Sequence, residues 1–285
     1  MLICRTPAEM HAACRDLRAA IPMQARTLGL VPTMGALHLG HLSLVSTALN
    51  QNDAVAVSIF VNPTQFGPTE DFARYPRTFD ADCARAETEG ADVVFAPSVD
   101  ELYPAGAVTF VEVEGLSQRL DGASRPGHFR GVATVVTKLF VASDADQAFF
   151  GQKDAAQVAV LRRMTTDLLL LATRIVVCPI VRESDGLALS SRNIYLSPDE
   201  RQSALALSRS IRRAESLVAQ GDRNATTLIG AAQEIFAAEP SLRVDYIELV
   251  NWETLEPVQI AATGSLFAVA AWVGATRLID NTILA

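Results

Sequence analysis

Two histidines three residues apart are the first residues in the sequence whose types and spacing could support chemistry. His38 and His41 would share one side of a helical turn, between a predicted buried strand and a predicted amphipathic helix. Free N–H groups at the start of a helix attract anions, and imidazoles placed there can donate hydrogen bonds to phosphate oxygens. The pattern favours a site that stabilises charge on a transferring nucleotide, although two structural histidines would produce the same short pattern. The surrounding run is Pro32, Thr33, Met34, Gly35, Ala36, Leu37, His38, Leu39, Gly40 and His41.

Two other chemistries fit these histidines less well. A zinc site would need a third ligand, and neither His11 nor His128 lies at a metal-like spacing. A serine triad would need a GxSxG turn, which the sequence lacks. The four cysteines are scattered without a CxxC pair, so a zinc or disulfide framework is not expected. The sequence therefore predicts no metal cage built by the protein.

Two further segments place hydroxyl groups and basic side chains where a polyphosphate could bind. One segment, Gly151-Gln152-Lys153-Asp154, follows a predicted strand, and its lysine would offer a point charge to phosphate oxygens. The other is Leu189-Ser190-Ser191-Arg192. A surface Lys–Asp pair and a polar turn would explain the same residues.

Amide and basic side chains in two other loops could bind a substrate hydroxyl or carboxylate. Asn62 and Gln65 follow the second predicted strand in an Asn-Pro turn. Arg125 and His128 lie in a loop ahead of a helix that we expect to begin at Gly131. Solvent-exposed turns remain an alternative for both pairs.

Strands that alternate with helices must position these segments. Buried-strand patterns at 27–32, 54–61, 91–96, 147–150 and 174–180 are separated by helical patterns. This alternation predicts an α/β fold with a parallel sheet between helices, in which ligands bind at the carboxyl ends of the strands. After about residue 183 the pattern changes to two helices and three strand-like segments. We therefore expect two domains, residues 1–183 and a smaller α+β domain at residues 184–285.

Composition argues against several classes of function. The net charge of −8, without a basic stripe, argues against a nucleic-acid partner. The longest apolar runs, at 168–172 and 266–273, are far shorter than the ~20 residues that cross a bilayer. The start of the chain has no secretory signal pattern. We therefore expect small-molecule ligands, no membrane partner and a cytoplasmic location.

Several motifs in a fixed order resemble the pantothenate synthetase family. They are PTMGALHLGH, SIFVNPTQF, YPRT, SRPGHFRGVATVVTKLF, FFGQKD and DGLALSSRN, and the ending AAWVGATRLIDN is also similar. The resemblance implies a Rossmann-like, doubly wound parallel sheet of the HxGH nucleotidyltransferase type, with the smaller domain closing over an ATP site. It implies the ATP-dependent condensation of (R)-pantoate with β-alanine, through a pantoyl-adenylate, to pantothenate, AMP and pyrophosphate. Such an enzyme is a ligase that forms a C–N bond, and the family suggests a homodimer.

The resemblance also implies which residues form the site. The catalytic residues would be His41, His38, Lys153 and Arg192. ATP would contact the run from Pro32 to His41, and Gly151, Gln152, Lys153, Asp154, Val181, Leu189, Ser190, Ser191 and Arg192. Pantoate and β-alanine would contact Gln65, Gln157, Asn62, Tyr75, Arg125 and His128. Mg²⁺ would accompany ATP, near Asp82. Gln152 departs from the acidic residue of the family pattern, which should matter little if its side chain faces solvent.

Other functions remain open on the sequence. A related adenylyl- or cytidylyltransferase would release pyrophosphate without forming an amide. A class I tRNA synthetase would need a basic anticodon-binding region, which is missing. A catalytically silent nucleotide-binding protein on this fold would be expected to lose His38, His41 or Lys153. A nicotinamide-dependent oxidoreductase would need a GxGxxG fingerprint, which the sequence lacks.

Overall fold

The alternating strands and helices of the first part of the chain form a parallel sheet. The computed structural model describes residues 1–19, 27–68, 70–170 and 172–285. Within them the sheet strands are β1 Leu2–Cys4, β2 Leu28–Thr33, β3 Ala54–Ile59, β4 Val93–Phe95, β5 Gln147–Gly151 and β6 Arg174–Cys178. They lie side by side in the order β1-β4-β3-β2-β5-β6, and every pair is parallel. The predicted α/β fold with a parallel sheet is confirmed.

Helices connect these strands. They are α1 Pro7–Ala19, α2 Leu39–Leu49, α3 Phe79–Glu89, α4 Val99–Leu102, α5 Asp121–Ser124, α6 His128–Ser143 and α7 Ala155–Asp167. Helix α6 begins at His128, three residues before the predicted start, so this histidine lies in the first helical turn and not in a loop. The start has no side-chain cap; Gly127, at φ +83°, makes the turn into the helix. No helix in the described residues has the length and apolar character needed to span a bilayer.

The order of the strands reverses between β2 and β5. These strands are neighbours, with Gly29 opposite Gln147, yet the chain leaves β2 toward β3 and leaves β5 toward β6. In open parallel sheets, ligands bind outside the carboxyl ends of the strands at such a reversal. The two-histidine segment comes directly after β2, as the sequence predicted.

The core of the sheet consists of apolar strand residues that are covered by helices. Val31, Val57 and Val94 are fully buried and belong to the same cluster as Val45 and Ala48 of α2. Parallel strands buried on both faces are expected to be continuously apolar, which is the pattern in the sequence. Each buried valine contributes roughly 1.5–3 kcal/mol, so this rigid layer can hold the loops at its edge in place.

The chain divides into two compact units. The first comprises residues 1–151 and 160–178, and the second comprises residues 152–159 and 179–285. The sequence pattern placed the division at 183/184 and gave no indication that residues 152–159 belong with the second unit.

The second unit is a three-stranded antiparallel sheet packed against helices. Its main elements are α8 Pro198–Ala219, α9 Ala225–Ala237, β7 Leu242–Asn251, β8 Ser265–Val273 and β9 Thr276–Ile283, and the sheet order is β7-β8-β9. Ser197 and Glu200 form a reciprocal capping box at the start of α8. Leu207 and Ile211 of α8 pack with Leu228 of α9 in one buried cluster. The predicted small α+β architecture is confirmed.

Candidate active site

The two histidines cap the start of α2. His38 is the N-cap residue, and its Nδ1 accepts a hydrogen bond from the Gly40 N–H at 3.1 Å. The Nδ1 of His41 accepts from the His38 N–H at 3.3 Å. The two rings stack with their centroids 4.0 Å apart. The imidazoles thus form a reciprocal capping box, the arrangement that usually pairs a Ser or Thr with a Glu.

These hydrogen bonds fix the tautomer of both rings. In each ring Nδ1 accepts a backbone N–H, so it cannot carry a proton itself. The proton of each neutral imidazole must then be on Nε2. His38 and His41 are therefore oriented as Nε2–H donors at the start of a helix, where an anion is favoured.

The turn between β2 and α2 has an unusual backbone. Gly35 has φ +84° and Ala36 has φ +50°, so two consecutive residues are left-handed. The positive φ favours glycine at position 35, and a Cβ there would lie 3.0 Å from Asp82 Oδ2 and 3.1 Å from Ile59 Cγ2, so these two side chains would have to shift slightly to admit it. Alanine in the left-handed region is unfavourable by about 1–2 kcal/mol, so other contacts must hold this turn.

Helix α3 supplies those contacts. Asp82 is 1% exposed, and its carboxylate accepts from the N–H groups of Ala36 at 2.9 Å and Leu37 at 2.7 Å. The Thr78 hydroxyl donates to the same carboxylate at 3.1 Å. Arg85, one turn further along α3, donates to the carbonyl of Leu37. Side chains of α3 therefore bind two backbone N–H groups of the turn, those of Ala36 and Leu37, and the carbonyl of Leu37.

The resemblance placed Mg²⁺ near Asp82, and the structure gives this carboxylate a role in holding the turn. A magnesium ligand needs a carboxylate oxygen directed at the ion, but both oxygens of Asp82 already accept hydrogen bonds from protein groups. Within the described residues, no group of three or more His, Cys, Asp or Glu side chains could hold a metal ion. The residues near Asp82 thus fit a scaffold for the turn, and Mg²⁺ near Asp82 stays a prediction.

Gln65 presents a defined amide orientation close to the histidine segment. It ends a short 3-10 turn, Pro63–Gln65, after β3. Its Oε1 accepts from Asn62 Nδ2 at 3.1 Å, and its Nε2 lies 3.0 Å from the sulfur of Met34. Because Oε1 is already an acceptor, Nε2 is the donor that Gln65 directs toward Met34. A donor of this kind suits a carboxylate or hydroxyl of an acid substrate.

Arg125 and His128 contact the backbone of Gln65. His128 Nδ1 lies 2.8 Å from the Gln65 carbonyl oxygen, and Arg125 Nη2 donates to the same oxygen at 3.3 Å. Arg125 also forms two hydrogen bonds of 2.7 Å with the carboxylate of Glu70. Glu70 was not predicted from the sequence, because nothing in its local pattern points to a partner 55 residues away.

The hydrogen bonds and the pKa of His128 agree on a neutral ring. Nδ1 must donate to the Gln65 carbonyl, so Nε2 accepts from Arg125 Nη1 at 3.0 Å. Burial and the positive charge of Arg125 lower the pKa of His128 to about 4. Burial of Glu70 opposes its ionisation, but Arg125 outweighs this effect and holds its pKa below the usual value. Arg125 and His128 are therefore engaged in fixing the Gln65 turn.

Close packing explains the glycine at position 131. A Cβ there would lie 2.3 Å from the carbonyl oxygen of Thr64, so α6 can approach the Gln65 turn only with glycine at this position. Asn62 Nδ2 donates to the Gly131 carbonyl at 3.1 Å and so ties the turn to the same helix. Asn62 is buried, as is Tyr75, whose ring contacts Phe66 at 6.0 Å between centroids.

A cavity of about 310 Å³ lies on the β3 and β4 side of the Gly35 turn. Met34, Gly35 and Asp82 line it together with Phe60, Phe72 and Arg77, so its walls are mostly apolar. Neither histidine nor Gln65 contributes to the lining.

Apart from Gly151, which ends β5 in the first unit, the remaining predicted residues belong to the second unit. Lys153 lies in a 3-10 turn, Gln152–Asp154, directly after β5, and its Nζ is 3.5 Å from Asp154 Oδ1. Gln152 does not simply face solvent, because its Nε2 donates to Asn281 Oδ1 at 3.3 Å. A glutamate there could not donate this hydrogen bond, so the departure from the family pattern has a structural consequence. Gln157 is half-buried in α7.

The segment from Val181 to Arg192 folds as a tight hairpin followed by a 3-10 turn. The Leu189 N–H donates to the Val181 carbonyl at 3.0 Å, which closes the hairpin. Ser190 caps the following turn, Ser191–Tyr195, by accepting from the Arg192 N–H at 3.2 Å. The predicted serine and arginine residues thus occupy the start of a short helical turn.

Comparisons with known proteins are consistent along the whole chain. The family model described as pantoate-beta-alanine ligase matches residues 2–283. Pantothenate synthetase of Koribacter versatilis is 56% identical, covering 100% of this chain and 96% of that protein. Pantothenate synthetase of Acidobacterium capsulatum is 59% identical, covering 98% and 95%.

Solved structures agree with the sequence comparisons. The crystal structure of pantothenate synthetase from Thermus thermophilus has a TM-score of 0.90 and 45% identity, covering 99% of both chains. Pantoate-beta-alanine ligase from Francisella tularensis, complexed with beta-gamma ATP and beta-alanine, has a TM-score of 0.79 and 33% identity, covering 99% and 97%. From the fold, the capped histidine pair and these matches, the chain belongs to the pantoate–β-alanine ligase family.

Proposed function

We propose that the protein joins pantoate to β-alanine, with ATP converted to AMP and pyrophosphate through a pantoyl-adenylate. The observation that carries the proposal is the stacked pair of Nε2–H imidazoles at the start of α2, at the reversal point of the sheet, in a chain of this family. A donor pair at that place is suited to phosphate oxygens. The solved relative in complex with beta-gamma ATP and beta-alanine gives independent support for both ligands.

In the first step a carboxylate oxygen of pantoate attacks the α-phosphorus of ATP. The new bond joins this oxygen to the α-phosphorus and completes an acyl C–O–P linkage. The bond from the α-phosphorus to the oxygen that bridges it to the β-phosphorus breaks. The electron pair leaves with pyrophosphate, so negative charge grows on the departing group. Preorganised donors and cations that face this charge lower the barrier.

His38, His41, Lys153 and Arg192 are the groups we assign to that charge. The two imidazoles donate from Nε2, and the Lys153 ammonium and Arg192 guanidinium add positive charge. Since His41 Nδ1 is engaged with the backbone, protonation of the leaving group by His41 would use the Nε2 proton. Magnesium enters with ATP in this proposal, because the described residues near Asp82 are engaged with the turn.

Gln65 and Gln157 are assigned to pantoate. Gln65 offers its Nε2–H, whose direction follows from the bond between Oε1 and Asn62. Arg125 and His128, which the resemblance placed among the substrate ligands, are assigned instead to holding the Gln65 carbonyl. Tyr75 and Asn62 are buried and support the same region.

In the second step the amine of β-alanine attacks the carbonyl carbon of the adenylate. The C–N bond forms, the C–O bond to AMP breaks, and the nitrogen loses a proton. The amine must enter without its extra proton, and the main contribution of the protein is to hold it beside the carbonyl. A cytoplasmic location and a homodimer are further predictions, and light scattering of the purified chain tests the homodimer.

The proposal is tested by following nucleotide products in the presence of Mg-ATP and pantoate. We expect pyrophosphate with pantoate alone and sustained AMP formation only after β-alanine is added. ADP and phosphate would mean an acyl-phosphate route and would refute the assignment of the histidines. A folded protein that binds ATP but consumes none would refute ligase activity altogether.

A further inference from the structure

The ending of the chain contains two buried polar residues that the proposed mechanism does not use. Asp280 and Asn281 lie side by side on β9 and are 2% and 3% exposed. Buried carboxylates and amides are costly unless they are hydrogen-bonded, so their partners indicate why they are present. Both have partners in loops that the proposed function assigns to ATP.

Asn281 binds the backbone of the Lys153 turn. Its Nδ2 donates to the carbonyl of Gln152 at 3.0 Å and to the carbonyl of Lys153 at 2.9 Å. Its Oδ1 accepts from the Gln152 side chain at 3.3 Å. The side-chain amide of Asn281 therefore uses both its nitrogen and its oxygen to hold the turn Gln152–Asp154.

Asp280 binds the hairpin that precedes Ser190 and Arg192. Its carboxylate pairs with Arg182 through two hydrogen bonds of 2.6 and 2.9 Å. The guanidinium also donates to the Gly186 carbonyl at 3.1 Å, which braces the tip of the hairpin. The Asn281 N–H donates to Asp280 Oδ1 at 2.8 Å and links the two anchors.

Strand geometry explains how neighbouring residues can serve two loops. Successive side chains of a strand point to opposite faces of the sheet. Leu278, two residues before Asp280, belongs to the cluster that the sheet shares with α8. Asp280 therefore projects on the helix-covered face, and Asn281 projects on the other face toward the Lys153 turn.

We infer that Asp280 and Asn281 are positioning residues for nucleotide binding. Asn281 sets the conformation of the Lys153 turn, and Asp280 sets the hairpin that leads to Arg192. The inference rests on the proposed function, because Lys153 and Arg192 are phosphate ligands only in that proposal. Neither Asp280 nor Asn281 is assigned a contact with substrate.

The residue types suit this role. An asparagine supplies two N–H donors to two carbonyls and one acceptor to Gln152, which aspartate cannot do. Asn281→Asp keeps the shape but removes both donors and directs negative oxygens at the two carbonyl groups. A shift of about 1 Å in a charged ligand can cost about 100-fold in rate, so we expect a loss of about 10- to 100-fold.

A double-mutant cycle separates positioning from general stability. Affinity for Mg-ATP is measured by calorimetry, and pyrophosphate release with pantoate is measured by rate, in wild type, Asn281→Asp, Lys153→Ala and the double variant. If Asn281 acts through Lys153, Asn281→Asp should lower the ATP affinity and the rate of pyrophosphate release by less than about twofold when Lys153 is already alanine. An undiminished loss in the Lys153→Ala background would overturn the inference. Asn281→Ser enters the same cycle if Asn281→Asp does not fold.

The second anchor is tested in parallel. Asp280→Asn is combined with Arg192→Ala, and the same loss of additivity is expected. The matched control is Asp245→Asn, because Asp245 pairs with Arg277 of β9 at 2.7 Å but contacts neither loop in the described contacts. We expect the control to keep its ATP affinity within about twofold. An equal loss in the control would refute a specific role for Asp280.

Failure of the proposed function is distinguishable from failure of this inference. Wild type that releases no pyrophosphate with pantoate would refute the ligase activity, while the ATP-binding cycle would still decide whether Asn281 acts through Lys153. Normal wild-type turnover with additive variants would refute the inference alone.

Discussion

Replacing Asp82 with asparagine should impair the active site although Asp82 contacts no substrate in the proposed mechanism. The carboxylate accepts from the Ala36 and Leu37 N–H groups and from the Thr78 hydroxyl. The Asp82→Asn side chain would retain one oxygen and replace the other with an N–H₂ group. Whichever way the amide turns, one backbone N–H of the turn would face another donor.

The cost can be worked from these contacts. A buried donor left without an acceptor costs about 1–3 kcal/mol, and the remaining bond loses its charge assistance. Because Ala36 is held in a left-handed conformation, the turn gains by relaxing once its restraint weakens. We expect the free energy of unfolding to fall by about 2–4 kcal/mol. Displacement of His38 and His41 by about 1 Å should slow pyrophosphate release by about 100-fold.

The matched control for Asp82→Asn is Asp92→Asn, because the Asp92 carboxylate accepts a hydrogen bond from one backbone N–H instead of two. Asp92 accepts one backbone N–H, from Val55 at 2.8 Å. Asp92 lies just before β4, at the amino end of that strand. Asp92→Asn can keep that single bond, so its activity should stay within about twofold of wild type. Thermal midpoints are measured alongside, so that rates are compared well below unfolding.

Two results would contradict this role of Asp82. Full activity of folded Asp82→Asn would show that the carboxylate does not hold the turn. Recovery of the variant at high Mg²⁺ would point to a magnesium ligand, since a lost metal ligand weakens ion binding whereas a displaced turn does not respond to the ion.

Four other substitutions test separate parts of the site. Glu70→Gln should raise the KM for pantoate by about tenfold, with a smaller effect on kcat. The arginine that holds the Gln65 carbonyl would lose its charged partner, a bond of about 1.5 kcal/mol. Steady-state kinetics with varied pantoate test this expectation, and an unchanged KM contradicts it. Folding lowers the pKa of His128 to about 4, from an unfolded value near 6.5. The stability that this residue contributes is therefore complete above about pH 6.5 and is lost as the pH falls toward 4, about 3 kcal/mol in all. Urea unfolding at pH 7 and pH 4.5 should show a smaller loss of stability in His128→Asn than in wild type, and an equal loss in both proteins would exclude His128 as the cause. Lys153→Ala and His41→Ala should each slow pyrophosphate release by about 100-fold, and wild-type rates in either variant would exclude that residue from the mechanism.

The sequence predicted the features that depend on local pattern. Apolar strands such as Ala54–Ile59 follow from periodicity, so they were predicted within a few residues. The short edge strand Leu2–Cys4 was missed, because three residues carry too little pattern to distinguish a strand from a loop. The predicted start of α6 at Gly131 was wrong because Gly131 serves close packing against Thr64 and does not mark a helix end.

Roles that depend on distant partners could not be predicted. The resemblance placed Mg²⁺ near Asp82, and the role of its carboxylate in the turn could not be predicted, because its partners lie 45 and 46 residues earlier in the chain, in a turn whose backbone angles the sequence does not reveal. Asn281 and Lys153 are separated by 128 residues, so their hydrogen bond follows only from the folded sheet.

A common physical rule connects Asp82, Glu70 and Asn281. Asp82 and Asn281 each bind the backbone of a different turn that carries a predicted ligand. Glu70 holds the arginine that binds the backbone of a third such turn. None of the three is assigned a role in the chemistry itself. Turns lack the repeating hydrogen bonds of helices and strands, so their N–H and C=O groups need side-chain partners to stay in one conformation. A site built at the ends of strands must therefore recruit buried polar residues from elsewhere in the chain. Such residues should be as sensitive to isosteric substitution as the ligands that they hold, and their variants should fail through misplacement of otherwise intact ligands.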